Sequence, residues 1–335
     1  MLILKNEGIT NKKLNFGIQI LRMILCFWVL SFHCLEKKYI NYFLYFITKT
    51  KFFHVPCFSF ISFYFSNNTF FERNIIKFKK RLERLLIPYV VWPLLIAIIN
   101  NYSNHKNKIS FKQLKMQILL GREFMIPLWY LFSSIILTII FFILSNLFKS
   151  HFLTLIQLLG LISYIFQYSN LYRLLYEYNT NIKNPLLDTI SILPLTITGL
   201  TFGSSKIVDK FKKKRIKAIF LCYIFIYFLF KYNIFIDLGG YKGFIHIFAS
   251  SFFFVGFYLL PLENVYFFIK KLIQLITSYT NGIYCLQIEI IHILKIKFNL
   301  IGNLKLAFII YLISYFLSFI GMKICGKTKL KYLFI

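Results

Sequence analysis

Long apolar stretches, separated by short polar segments, run along the whole chain. Ten of them have about the length of a transmembrane helix, which is roughly 17–25 residues. Because their apolar residues are continuous rather than alternating with polar ones, a transmembrane β-barrel is excluded. The sequence predicts an all-α, polytopic membrane protein with about ten transmembrane helices, in a single domain over residues 1–335. The predicted spans are 17–35, 43–66, 85–100, 126–147, 151–168, 187–204, 216–231, 244–260, 275–294 and 305–325.

The basic residues are concentrated in the connections between the apolar stretches. The chain has 40 Lys and Arg against 11 Asp and Glu, and the densest basic clusters lie at 77–84 and 210–215. With an even number of spans and the basic excess on the inner side, the positive-inside rule predicts that both termini are cytoplasmic. We expect a multi-pass protein of the cell (plasma or inner) membrane, in contact with its lipids. No soluble basic domain offers a groove, so the net charge of +29 does not indicate a nucleic-acid partner.

The first apolar stretch carries two residues that are costly in a membrane, Arg22 and His33. A charge at the centre of a membrane helix costs roughly 2.5–3.5 kcal/mol, so such residues usually face a protein interior and have a function there. Eleven residues make three turns plus about 20°, which places Arg22 and His33 on one helical face, about 16 Å apart. His33 is the best candidate general base. The alternative is structural: His33 bonds a neighbouring helix and Arg22 reaches the inner phosphates.

Two further pairs of residues have both a functional and a structural interpretation. Arg81 and Arg84 lie three residues apart before Pro88, so they share one helical face. They can bind an anionic group from the cytoplasm, or lipid headgroups. Trp129 and Tyr130 fit an interfacial aromatic belt as well as a binding site.

A late apolar stretch, residues 278–294, contains Gln287, Glu289 and His292. An acid inside a membrane helix is a functional candidate, and Glu289 can pair with His292 three residues on; a satisfied interhelical hydrogen bond is the alternative. Near the first stretch, Glu36 can orient the ring of His33 or lie among the outer headgroups.

No pattern of a metal or nucleotide site is present. The six Cys residues lie in or beside apolar runs without a CxxC pair, and no Walker or dinucleotide fingerprint occurs, so neither a metal nor a bound cofactor is predicted. Gly199 and Gly203, four residues apart, predict a close approach between two helices. The other histidines are expected in loops or at the membrane interface: His54, His105, His151 and His246.

Several of these residues together resemble the acyltransferase 3 family of membrane acyltransferases, most strongly the members that modify cell-surface polysaccharides and lipid-linked sugars. That family carries an Arg, ten residues and then a His in its first span, matched here by Arg22 and His33 in LRMILCFWVLSFH. The other matching segments, in the family's order, are Val55-Pro56 with Ile61-Ser62-Phe63-Tyr64-Phe65, KKRLERLLIPY, Leu128-Trp129-Tyr130 and Gly282-Ile283-Tyr284-Cys285-Leu286.

The resemblance implies an enzyme, an O-acyltransferase that moves an acyl group, commonly acetyl from acetyl-CoA, to a hydroxyl of a polysaccharide or lipid-linked sugar. His33 would act as general base or carry the acyl group transiently. Arg22 would hold the phosphates of the acyl-CoA donor together with two further arginines. The binding residues that accompany Arg22 and His33 are Arg81, Arg84, Trp129, Tyr130 and Glu289.

The sequence departs from the family pattern at three places. Phe63 stands where the family has Gly, Gln287 where it has His, and an acid often found before the first Arg is absent, with Gln19 nearby. A non-catalytic relative is therefore one alternative. Another is an exporter or flippase of a polysaccharide or its lipid-linked precursor, although no inverted repeat is visible.

Overall fold

A computed structural model describes residues 15–34, 54–102, 109–121, 128–169, 171–172, 174–175, 185–205, 207–231, 244–262, 265–298 and 304–334. These residues form helices and no strand, as predicted for an all-α protein. The helices are α1 (Phe16–Cys34), α2 (His54–Phe71), α3 (Ile75–Tyr102), α4 (Phe111–Leu120), α5 (Leu128–Leu147), α6 (Phe152–Gln167), α7 (Pro185–Ser204), α8 (Ile207–Lys212), α9 (Arg215–Lys231), α10 (Phe244–Tyr258), α11 (Phe267–Thr277), α12 (Thr280–Phe298) and α13 (Leu304–Cys325), with short 3₁₀ helices at Lys149–His151 and Lys329–Leu333.

Each of the ten predicted spans coincides with one of these helices over most of its described length. Within the described ranges, six helical stretches are long and apolar enough to cross a membrane, which confirms a multi-pass membrane protein. They are Phe16–Cys34, Ile75–Ile99, Leu128–Leu147, Lys149–Gln167, Leu186–Ser204 and Lys305–Cys325. The number of ten spans and the cytoplasmic termini stay predictions.

Helix α1 lies inside the bundle, where it packs against α2, α10, α11, α12 and α13. Its apolar residues are largely buried on several sides, including Ile18, Leu21, Leu25 and Leu30. A helix that is apolar all round is expected in such a position, because every face meets protein rather than water. The location means that polar side chains on α1 lie in the interior of the protein.

Helices α2 and α7 pack along an extensive contact, and two glycines allow their close approach. A Cβ atom on Gly199 would lie 2.5 Å from the Phe60 carbonyl oxygen, and one on Gly203 would lie 2.7 Å from that of Tyr64. The predicted close approach at this small-residue pair is therefore confirmed, because any larger side chain would force the helices apart. The contact fixes α2, which supplies several of the polar groups described below.

The last described segment covers one side of α3. Lys329 donates a hydrogen bond to Glu83 (2.6 Å), and the indole of Trp92 donates to the Leu333 carbonyl (3.3 Å). The hydrogen bond from Lys329 to Glu83 holds the pKa of Lys329 above its ordinary value. The ring of Phe334 meets that of Trp92 edge to face, with centroids 5.9 Å apart. This segment therefore ties α3 to α13, the helix that precedes it.

Candidate active site

Arg22 and His33 both lie on α1, whose bounds at Phe16 and Cys34 contain the whole predicted stretch. With 1.5 Å of rise per residue, the two residues share a face and lie about 16 Å apart along the axis. Arg22 is half-buried, and its Nη2 donates to the hydroxyl of Thr280 at the start of α12 (2.8 Å). The neighbouring turn of α1 meets the same residue, since the thiol of Cys26 donates to the Thr280 carbonyl at 3.9 Å.

Arg81, on α3, reaches into the bundle and is held by hydroxyl groups from two other helices. Its Nε donates to Thr138 Oγ1 (3.0 Å), and its Nη2 donates to Ser62 Oγ (3.1 Å). Its Nη1 donates to Ser66 Oγ and, at 3.4 Å, to the Ser62 carbonyl. Ser62 and Ser66 lie on α2, and Thr138 lies on α5. The fork of the guanidinium therefore joins three helices at one point.

Phe63, a departure from the family pattern, forms the floor under Arg81. The guanidinium carbon lies 4.6 Å from the centroid of the Phe63 ring, within the range of a cation–π contact. The ring is fully buried, with its centroid 6.2 Å from that of Phe70 and 5.6 Å from that of Phe141. A glycine at this position could supply neither contact, so Phe63 both fills the space and supports the arginine.

Tyr130 lies near both arginines. Its side chain lies within Coulombic range of Arg22 and of Arg81, and its ring is 6.3 Å from that of Tyr284 on α12. Trp129 is almost fully buried in the same part of the bundle. The aromatic-belt interpretation is therefore wrong for Trp129, because its ring packs inside the protein rather than at a lipid interface. The hydroxyls around the Tyr130 phenol belong to Ser59, Ser62 and Ser134.

No carboxylate in the described part of the chain forms an ion pair with Arg22 or Arg81; the described ion pairs join Lys77 to Glu72 and Lys329 to Glu83. Two guanidinium groups thus lie inside the bundle with hydroxyl and carbonyl partners but without a counter-charge. Burying a cation without an anion is costly, even when its hydrogen bonds are made. This arrangement could accommodate the charge of an anionic group.

Arg84 is separated from this site. Although only one turn beyond Arg81, its side chain is exposed, and its guanidinium carbon lies 5.7 Å from the ring of Tyr332 in the last described segment. The structure therefore does not bring Arg84 together with Arg22 and Arg81. Of the remaining acidic candidates, Glu289 lies on α12 but its side chain is outside the described part of the structure, as is that of His292, and Glu36 lies outside the described residues altogether.

At the other end of the Arg22–His33 line, His33 meets a second histidine. His54, the first residue of α2, is close enough to His33 for their charges to interact, and the ring of Phe32 lies beside both, with centroids 5.4 Å from His33 and 6.4 Å from His54. His54 is only 5% exposed and His246 is fully buried. A loop position is therefore wrong for these two residues, because each lies on a helix and is buried; their position at the membrane interface stays a prediction. His151 is exposed in a 3₁₀ helix, as predicted, and His105 lies outside the described residues.

Sequence reasoning missed the hydroxyl groups that hold Arg81 and Arg22. A usable pattern exists on α2, where Ser59, Ser62 and Ser66 recur at three- and four-residue intervals and so share one helical face. On α5, Ser134 and Thr138 follow the same rule. Such a stripe marks a polar seam between membrane helices. Which arginine it faces could not be read from the sequence, because that depends on how the helices pack.

The described residues hold no group of three His, Cys, Asp or Glu side chains that could bind a metal ion. The free cysteines in the described chain are dispersed, and five of the six are buried. The chemistry available between Arg22 and His33 is therefore that of guanidinium, hydroxyl, phenol and imidazole groups. These can hold an anion and move a proton.

Comparison with known proteins identifies one related family. The model of that family, described as an acyltransferase domain, matches residues 15–325 of the chain. No curated protein and no solved structure gives a match. The matched region contains every helix described above except the final 3₁₀ turn, and so includes both ends of the site.

Proposed function

The chain belongs to the acyltransferase 3 family, and from that premise we propose that it transfers an acyl group from acyl-CoA on the cytoplasmic side to a hydroxyl of a cell-surface polysaccharide or lipid-linked glycan. In this proposal the transferred acyl group is acetyl, and the protein resides in the plasma or inner membrane. The enzyme would thus be an O-acyltransferase whose acceptor lies on or near the outer surface.

One observation carries this proposal: Arg22 and Arg81, two guanidinium groups near Tyr130 inside the bundle, have no carboxylate partner among the described residues. An arginine fork suits the oxygens of a phosphate, so the diphosphate of acyl-CoA is the anion that would compensate the two charges. Arg22 makes a single hydrogen bond in the described structure and therefore keeps most of its N–H groups for the donor. Arg81, whose fork is already engaged by hydroxyls, would contribute mainly its charge.

The distance along α1 fits the shape of this donor. His33 lies about 16 Å from Arg22 on the same face, which is comparable with the reach of an extended pantetheine arm. Phosphates held at Arg22 would thus place the thioester near His33. A general base there is within reach of a hydroxyl that approaches from the outer side.

In the proposed reaction, the imidazole of His33 takes the proton of the acceptor hydroxyl as its oxygen attacks the thioester carbonyl. The tetrahedral intermediate then collapses: the carbon–sulfur bond breaks, and the thiolate of CoA takes a proton from the imidazolium. The products are an O-acyl ester and free CoA, with His33 restored. In the alternative order, the imidazole nitrogen attacks the thioester carbonyl, the carbon–sulfur bond breaks, and CoA leaves with the proton of the ring. The acceptor hydroxyl then attacks the acyl-imidazole, the carbon–nitrogen bond breaks, and the hydroxyl proton returns to the imidazole.

Analysis of the cell-surface glycan tests the proposal. We expect cells that carry His33→Ala in place of the wild-type gene to make and display the polymer but to lack its ester groups, while the variant still inserts in the membrane at normal level. Undiminished acylation would overturn the proposal. Loss of the polymer itself from the surface would favour the exporter alternative, for which no described contact provides specific support.

Deletion of the whole gene is the matched control for this experiment. A transferase predicts the same ester-free polymer in the deletion strain as in the His33→Ala strain. A membrane scaffold without catalytic activity predicts a phenotype in the deletion strain alone.

A further inference from the structure

Two buried polar side chains without a partner among the described residues lie on helices that pack against α1. Gln287 on α12 is fully buried, and neither its amide oxygen nor its amide nitrogen has a hydrogen-bond partner among the described residues. His54 on α2 is 5% exposed, and its Nδ1 likewise has no partner in the described part of the chain. Buried polar groups are nearly always paired, so each exception needs an explanation.

The packing of α1 against α12 shows where Gln287 lies. The start of α1 lines one cavity with Lys270 and Gln274 of α11, and the next turns of α1 contact Thr280, the first residue of α12. This order along the chain is the one expected if α1 and α12 run in the same direction. From the contact between Cys26 and Thr280, an advance of seven residues on each helix leads to His33 and Gln287. Seven residues are two turns, so both residues stay on the contacting faces and reach the same depth.

His54 approaches the same place from a third helix. It lies at the start of α2, close to His33, and shares the ring of Phe32 with it. Its Nδ1 is shielded from solvent, whereas His33 is only half-buried. His33 is therefore the accessible member of a group of three polar side chains that come from α1, α2 and α12.

We propose that Gln287 and His54 form, together with His33, the binding site for the acceptor hydroxyl, and that Gln287 makes the hydrogen bonds that hold it. The inference rests on the proposed acyl transfer and names the acceptor-binding residues of that site. A hydroxyl both donates and accepts, and a carboxamide presents both complementary groups on one rigid plane. A sugar, with hydroxyls on adjacent carbons, can satisfy both atoms of Gln287 and still offer one O–H to His33.

The unpaired state of Gln287 gives this proposal a test that a structural role would fail. A glutamine kept for packing would make hydrogen bonds in the empty protein, and its loss would lower stability. Gln287 makes none in the described structure, so replacing it with leucine of similar size removes two unpaired polar atoms and should leave stability unchanged or raised. The cost should instead appear in the binding of the acceptor.

The experiment uses the full-length protein in proteoliposomes, with radiolabelled acetyl-CoA as donor and polysaccharide extracted from the producing cell's envelope as acceptor. We expect Gln287→Leu to raise KM for the polysaccharide about tenfold or more, the size of at least one lost hydrogen bond, while KM for acetyl-CoA stays within about twofold. Gln287→His keeps a donor and an acceptor, so its KM should lie closer to that of the wild type. His54→Phe should raise the acceptor KM in the same direction.

Gln167→Leu is the matched control, because Gln167 is also buried but its amide donates to the Ile190 carbonyl at 3.0 Å. We expect this variant to lower Tm and to leave both KM values unchanged. An unchanged acceptor KM in Gln287→Leu, or a fall in Tm as large as that of Gln167→Leu, would overturn the assignment of Gln287 while acyl transfer by the wild type stands. If the wild type transfers no label to the polysaccharide, the proposed function itself fails, and the assignment with it.

Discussion

The two ends of the Arg22–His33 line differ in how their polar groups are satisfied. At the arginine end, the fork of Arg81 is closed by Ser62, Ser66 and Thr138, and Arg22 bonds Thr280. The described residues provide no negative charge there. At the histidine end, where we place Gln287, both the Gln287 amide and the Nδ1 of His54 lack hydrogen bonds among the described residues.

If the proposals above hold, the two ends bind groups of different chemistry. Hydrogen bonds without a counter-charge prepare a place for an anion, and the protein can fold around such a place because the hydroxyls share the cost of burial. Unpaired amide and imidazole groups prepare a place for a neutral polar group. Variants at the arginine end should therefore change stability as well as activity, whereas variants at the histidine end should change activity alone.

The largest expected effect is at the histidine end. A positioned general base contributes roughly 10²–10⁴-fold, so His33→Ala should lower kcat by that factor. The same variant should shift Tm less than Arg81→Lys, because no hydrogen bond from the His33 ring is present among the described contacts. Single-turnover assays and thermal unfolding of the same purified protein provide the two numbers. A large loss of stability in His33→Ala would contradict the expectation that variants at the histidine end change activity alone.

A smaller effect, on stability, is expected at the arginine end. Arg81→Lys keeps the charge but loses the planar fork that joins α2, α3 and α5, so we expect the free energy of unfolding to fall by about 2–3 kcal/mol. The matched control is Arg84→Lys, one turn away, exposed and with the same change in chemistry. It should change the free energy by less than about 0.5 kcal/mol. Equal effects of the two variants would contradict the structural role assigned to the fork.

The smallest effect concerns the aromatic floor under Arg81. Phe63→Leu and Phe70→Leu remove two buried, stacked rings of the same size, but only Phe63 lies under the guanidinium. Phe63→Leu should therefore cost about 1 kcal/mol more than Phe70→Leu, the size of one cation–π contact. Combining each change with Arg81→Lys in a double-mutant cycle isolates that difference. No coupling between positions 63 and 81 would mean that Phe63 only fills space.

Much of the fold could be predicted because apolar length is a local property. The first span was predicted at 17–35 and is found at Phe16–Cys34. The predicted helix ends were wrong where polar residues adjoin the apolar stretches. Helix α2 continues through Asn67 and Asn68 to Phe71, and α3 already begins at Ile75, before the basic cluster. Long basic side chains can lie along a helix and still reach water, so a charged run need not end it.

The site was predictable only where it lies on one helix. The spacing of Arg22 and His33 is a local matter, and their shared helix α1 is confirmed. The same helical spacing predicted that Arg81 and Arg84 share one face. In the structure, however, Arg81 reaches into the bundle, whereas Arg84 lies against the ring of Tyr332. Their surroundings depend on α2, α5 and the last described segment, whose positions are set by packing across the whole chain.

The contact between Glu83 and Lys329 has a consequence for biogenesis. The two residues are 246 positions apart, and Lys329 belongs to the segment that packs on one side of α3. At roughly 5–20 residues per second of synthesis, α3 waits about 12–50 s for that cover after it leaves the ribosome. During that interval the Trp92 indole has no Leu333 carbonyl to bond, and the helix presents an unfinished surface to the insertion machinery. Membrane chaperones that recognise unassembled helices should therefore find this protein through α3.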